Sequence, residues 1–105
     1  MNLKGSLPML ILYVLSRGPS HGYEIAKRIK EESENVLDFK EGTVYPTLHN
    51  LEKQRLIEAY EATENGRVRR YYRLTDGGHS TLKNEMDEWA RYSHAISLIL
   101  KEKTT

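Results

Sequence analysis

His49, Asn50 and Lys53 stand close together in EGTVYPTLHNLEKQRLI, residues 41–57, on the side its apolar residues leave free. An imidazole, an amide and an ammonium group are three different hydrogen-bond donors. On duplex DNA an Asn can pair with an adenine edge, a His can donate to guanine or phosphate, and a Lys can neutralise a phosphate. Gly42 and Pro46 share that side and are small or flat, which permits close approach. Thr43, Tyr45 and Thr47 flank it with hydroxyls suited to backbone phosphates. The other reading is an ordinary solvated face with a proline near a helix start, although such faces are usually filled with Glu and Lys.

A second group lies at Arg67, Arg69, Arg70 and Tyr71. From Arg67 to Arg73 there are four arginines and no acid, directly after Asn65-Gly66. A protruding basic hairpin can follow a phosphate backbone or enter a minor groove. The alternative is that the arginines pair with Glu58 and Glu61 across the hairpin, an arrangement expected first of Arg73. Tyr72 is expected beneath the hairpin in the core, and Tyr71 on the open side within reach of phosphate. Lys4, ahead of the first apolar run, is a further phosphate candidate.

These groups need elements to hold them. Ser6 is a cap for a first helix with Pro8 in its first turn, where a missing N–H costs little. Leu7, Leu10, Ile11, Leu12, Val14 and Leu15 wrap most of that helix, and Gly18-Pro19 ends it. Ser20 is a cap for a second helix to about Glu34, with Tyr23, Ile25, Ala26 and Ile29 inward. The third helix starts between Glu41 and Thr43 and buries Val44, Leu48 and Leu51, spaced four then three. Asn65-Gly66 predicts a tight hairpin between Ile57–Thr63 and a strand that ends near Leu74. Thr75 is a cap for a last helix reaching about Glu102.

Leu82, Met86, Trp89, Ser93, Ile96 and Leu100 are spaced four, three, four, three, four, the pattern of a coiled-coil seam. Such a helix is roughly 40 Å long at 1.5 Å per residue. A body this small cannot cover that length, and a second copy of the chain is the simplest cover. The competing reading folds the helix back on the chain's own core.

Sixteen basic and fifteen acidic residues leave a net charge of +1, so any basic patch must be local. That balance suits specific DNA binding better than general coating. The absence of cysteine excludes disulfides, thiolate zinc sites and thiol catalysis, and suits the cytoplasm. The histidines at 21, 49, 79 and 94 lack metal-ligand spacing, and Gly77-Gly78 lacks a phosphate-loop pattern. No enzyme activity, metal or cofactor is therefore expected. The run from Leu7 to Leu15 is too short to span a bilayer, and no basic leader precedes it, so no membrane association is expected.

Three helices, a hairpin and a long helix make a mainly α chain of winged helix-turn-helix type: residues 1–75 the DNA-binding unit, 76–105 a C-terminal dimerisation helix with a short tail. LYVLSRGPSHGYEIAKRI, EGTVYPTLHNLEKQRLI and GRVRRYYRLTDGGHSTL resemble, in order and spacing, the PadR-like transcriptional regulators. The resemblance runs over roughly residues 3–82. It implies a homodimer paired through the last helix, a double-stranded DNA operator, and usually repression. It further implies a small-molecule effector at the dimer interface, for which Trp89 is the candidate wall, Ser93 the gap beside it and a planar apolar compound the ligand. Arg55 stands where such relatives often have glycine, and His49 where Lys or Arg is common. The alternative function is a winged-helix protein-interaction module that never touches nucleic acid. It would show an apolar exposed third helix and a wing without arginines.

Overall fold

Two strands of the hairpin, and a third that the sequence pattern does not announce, form the small sheet on which the helices converge. The computed structural model describes the backbone of residues 3–101 and the side chains of residues 5–101. The order is α1 (Leu3–Ser16), β1 (Ser20–His21), α2 (Gly22–Glu32), α3 (Glu41–Lys53), β2 (Ile57–Glu64), β3 (Arg67–Leu74) and α4 (Asp76–Lys101). The sheet is antiparallel, with β3 between β1 and β2.

Helix α1 is the central helix its all-round apolar sequence predicts. Leu7, Ile11, Leu12, Val14 and Leu15 are buried in one core with Ile25, Ile29, Val44, Leu48, Leu51, Ile57, Tyr72 and Leu82. It begins at Leu3, so Ser6 is not its cap and Pro8 sits past the first turn. There the proline removes one intrahelical hydrogen bond.

At the start of α2, Ser20 is not the cap either. It pairs with Tyr72 in the sheet and is buried. The cap is His21, whose Nδ1 accepts the Glu24 N–H at 3.2 Å. Two residues are too few for strand alternation to show in a sequence, so β1 was unreadable. Tyr23, expected inward, is exposed. The helix stops at Glu32, two residues short of expectation. Glu34 and Asn35 turn left-handed, at φ 54° and 69°, and the Asn35 N–H closes on the Lys30 carbonyl at 2.8 Å.

Helix α3 buries Val44, Leu48 and Leu51 as expected. It ends in a Schellman turn: Arg55 N–H to Glu52 O and Leu56 N–H to Leu51 O, both 3.0 Å. Arg55 has φ 62°, a conformation glycine takes without strain. The hairpin follows with Asn65 at φ 52° and Gly66 at φ 78°, the two positive values its two-residue turn demands. Its register runs from Ile57↔Leu74 to Glu64↔Arg67.

Thr75 caps α4, its Oγ1 accepting the Gly78 N–H at 3.0 Å and donating to the Arg55 carbonyl at 2.7 Å. Gly78 is where α4 touches the exit of α3. A Cβ there would lie 2.1 Å from the Leu56 carbonyl oxygen and 2.7 Å from Leu74 Cδ1. In all α4 has 26 residues, and past Gly78 it leaves the body, in a molecule 59 Å long and 28 by 22 Å across.

Candidate nucleic-acid interface

Helix α3 has three flanks, set by its buried stripe. Tyr45 and His49 face the hairpin, as does Glu52. Gly42, Pro46 and Lys53 are exposed on the side opposite Val44 and Leu48, and Pro46 also borders the hairpin. Thr47 and Asn50 turn the other way and border a cleft with Pro8, Met9, Gln54 and Glu85. Thr43 is half-buried. Thr47 donates its hydroxyl to the Thr43 carbonyl at 2.8 Å, so that hydrogen is engaged within the helix. Asn50 is exposed at the outer edge of its flank.

Between α3 and the hairpin lies a cleft of about 560 Å³, where Tyr45, Pro46 and His49 meet Arg69 and Arg70. Two groups singled out separately in the sequence thus form one surface. His21, Tyr23 and Tyr72 complete its lining. His21 was not foreseen here. A histidine before Gly-Tyr-Glu is a weaker cap signal than the serine that precedes it.

The hairpin arginines divide into tied and open groups. Arg73 binds Glu58 at 3.0 Å, the cross-strand pairing expected of it. Arg70 lies opposite Glu61 in the register but binds Glu52 of α3 instead, at 3.0 Å, with its guanidinium 5.8 Å from the Tyr72 ring centre. Among the described residues, Arg67, Arg69 and Lys53 form no ion pair. Arg67 is exposed at the tip. Tyr72 is buried as expected. Tyr71 is on the open face, but its hydroxyl donates to the Glu64 carboxylate rather than standing free. Lys4 falls in the first turn of α1, and its side chain is outside the described residues.

This geometry sits on a chain whose relatives are identifiable. The model of the PadR-like transcriptional regulator family matches residues 11–84. The chain belongs to the PadR-like family of transcriptional regulators. It is 34% identical over 100 residues to an uncharacterized protein of Lysinibacillus sphaericus, covering 94% of this chain and 92% of that one. It is 36% identical over 84 residues to the transcriptional regulator YqjI of Escherichia coli, covering 80% of this chain and 39% of that protein's length. Its fold superposes on a PadR family transcription regulator from Clostridium difficile with a TM-score of 0.81, at 33% identity, over 91% of this chain and 99% of that one.

The PadR-like family consists of transcriptional regulators rather than enzymes, and regulation of transcription implies DNA binding. The matched stretch includes α3 and the whole hairpin but stops nine residues into α4, at residue 84. Along the rest of α4 the PadR-like chain shows apolar side chains. Leu82 is buried in the chain's own core, so the open part of the predicted seam begins at Met86. Met86, Trp89 and Leu100 are exposed there, while Ser93 and Ile96 are half-buried. Tyr92, Leu98 and Ile99 are exposed beside them. No described helix is long and apolar enough to cross a membrane.

Proposed function

We propose that this PadR-like protein binds a palindromic operator as a homodimer in the cytoplasm and represses transcription until a small molecule releases it. Residues 1–75 are then the DNA-reading unit and 76–105 the pairing unit. Helix α3 enters the major groove with Thr43, Tyr45, Pro46, His49, Asn50 and Lys53, and the hairpin lies along the backbone with Arg67, Arg69 and Arg70. The observation that carries this reading is the shared cleft, because it puts Tyr45, Pro46 and His49 on one surface with Arg69 and Arg70. A protein-docking third helix would instead expose a mainly apolar face, whereas α3 exposes His49, Asn50 and Lys53 beside Tyr45 and Pro46.

The dimer reading rests on the uncovered apolar stripe from Met86 to Leu100. In water such a stripe is stabilised by a partner, and the two-fold pairing of identical helices is the simplest one. An effector site fits the cleft of about 360 Å³ between α1 and α4, which Met9, Trp89, Tyr92, Glu85 and Glu88 line. Aromatic walls suit a planar compound, and the two carboxylates favour one that carries positive charge over a purely apolar one. To act as an inducer the compound must prefer one arrangement of the two reading heads.

Hydrogen exchange on the protein, alone and bound to a duplex it retains from genomic DNA, tests the DNA-reading part. Protection is expected in residues 41–53 and 64–71. Protection confined to α2 or α4 would refute it.

A further inference from the structure

Glu64 and Arg67 are the last pair of the hairpin, facing each other across Asn65-Gly66. Opposite charges placed directly across two strands attract, and Glu58 and Arg73 pair in this way on the same face at 3.0 Å, whereas Arg70, opposite Glu61 on the other face, is drawn off to Glu52 of α3. At the tip the carboxylate does something else. It accepts a hydrogen bond from the hydroxyl of Tyr71, seven residues away in sequence. Among the described residues Glu64 and Arg67 form no ion pair.

The path is open because the pair in between is Ala62↔Arg69, and alanine leaves room for a ring to lean toward the turn. Tyr71 is held from behind. Its ring stacks on Tyr60, centroids 5.8 Å apart, and meets the edge of His21 at 5.4 Å. His21 is itself fixed by its cap on α2. A chain of contacts thus runs from the start of α2 through Tyr71 to the carboxylate at the wing tip.

We propose that Tyr71 is a positioning residue for DNA binding: it holds the Glu64 carboxylate off Arg67 and so keeps the wing-tip guanidinium open to a phosphate. This rests on the reading above that Arg67 meets DNA. It replaces the expectation that Tyr71 touches phosphate itself. The hydrogen bond to the Glu64 carboxylate, followed by desolvation, raises the Tyr71 pKa above the ordinary tyrosine value, as expected of a phenol donating to a carboxylate. Without that donor, Glu64 turns to the cation opposite it, and DNA must break an exposed ion pair before Arg67 can bind.

The test is a cycle of Tyr71→Phe, Glu64→Gln and the double variant, with Arg67→Ala as reference, measuring Kd for a random-sequence duplex by fluorescence anisotropy. Phenylalanine keeps the ring contacts. Tyr71→Phe is expected to weaken binding about three- to fivefold, the size of one exposed ion pair. In the Glu64→Gln background the same change is expected to have no effect. An undiminished loss in that background would mean that Tyr71 touches DNA itself and would overturn the proposal, as would no loss from Tyr71→Phe alone. NMR exchange of the Arg67 side-chain N–H gives a second reading without DNA: it should slow in Tyr71→Phe as the ion pair forms, and unchanged exchange counts against the proposal. If Arg67→Ala binds as tightly as wild type, the wing-tip reading itself has failed. Weak binding by Arg67→Ala with no coupling in the cycle sinks the Tyr71 role alone.

Discussion

Arg70 on β3 reaches across to Glu52 on α3, its Nη2 lying 3.2 and 3.0 Å from the two carboxylate oxygens. The wing is thereby tied to the helix it accompanies. Both side chains are substantially exposed, so the pair contributes little to stability, on the order of 0–1 kcal/mol. Its consequence is geometric: it joins β3 to α3 beside the cleft that Tyr45, His49 and Arg69 line.

Glu52→Gln should accordingly leave the melting temperature nearly unchanged. It removes a negative charge beside the proposed phosphate path and frees Arg70, so binding to random duplex should strengthen about twofold. The ratio of operator to random affinity should fall, because the wing is no longer aligned with α3. Anisotropy titrations on both duplexes check this, and an unchanged ratio would deny the pair an aligning role.

Asn50 and Arg69 stand on different flanks and should fail differently. Asn50→Ala should relax preference at one base pair, by roughly 1–3 kcal/mol. Arg69→Ala should weaken all sequences alike and lower the salt slope by about one. Equal losses on operator and random DNA for Asn50→Ala would demote it to a backbone contact.

Features of this chain that restrict the residue type were legible in its sequence, and local caps and long-reach side-chain pairings were not. The stripe of Val44, Leu48 and Leu51 and the Asn65-Gly66 turn announce α3 and the hairpin because burial and positive φ restrict the residue type. The Ser6 and Ser20 assignments failed because a cap is a local preference of about 1 kcal/mol that packing readily overrides. Ser20 was taken into the sheet by Tyr72, and His21 capped in its place. The partners of Arg70 and Tyr71 were illegible for another reason: Glu52 and Glu64 are chosen by side-chain reach across the fold, which spacing does not encode.

Arg55 and Gly78 bear on stability with opposite signs. Arg55 is left-handed at φ 62°, and Arg55→Gly should stabilise the fold by about 1 kcal/mol once the greater freedom of glycine in the unfolded chain is subtracted. Gly78→Ala puts a methyl 2.1 Å from a backbone oxygen and should destabilise by about 1–3 kcal/mol. Urea midpoints at constant slope measure both.

Ile96, half-buried along α4, is the position for testing assembly. Ile96→Glu sets like charges in the proposed apolar pairing and should give monomers by sedimentation, with most operator affinity lost. A dimer that survives the change would place the interface elsewhere.

The most direct measurement of the central claim is selection of duplex fragments by the purified protein from a random-sequence library, followed by sequencing. A two-fold dimer reading with α3 predicts an enriched inverted repeat whose half-site centres are about 10 bp apart or a multiple of it. Enrichment of a single asymmetric half-site, or of no sequence at all, would contradict it.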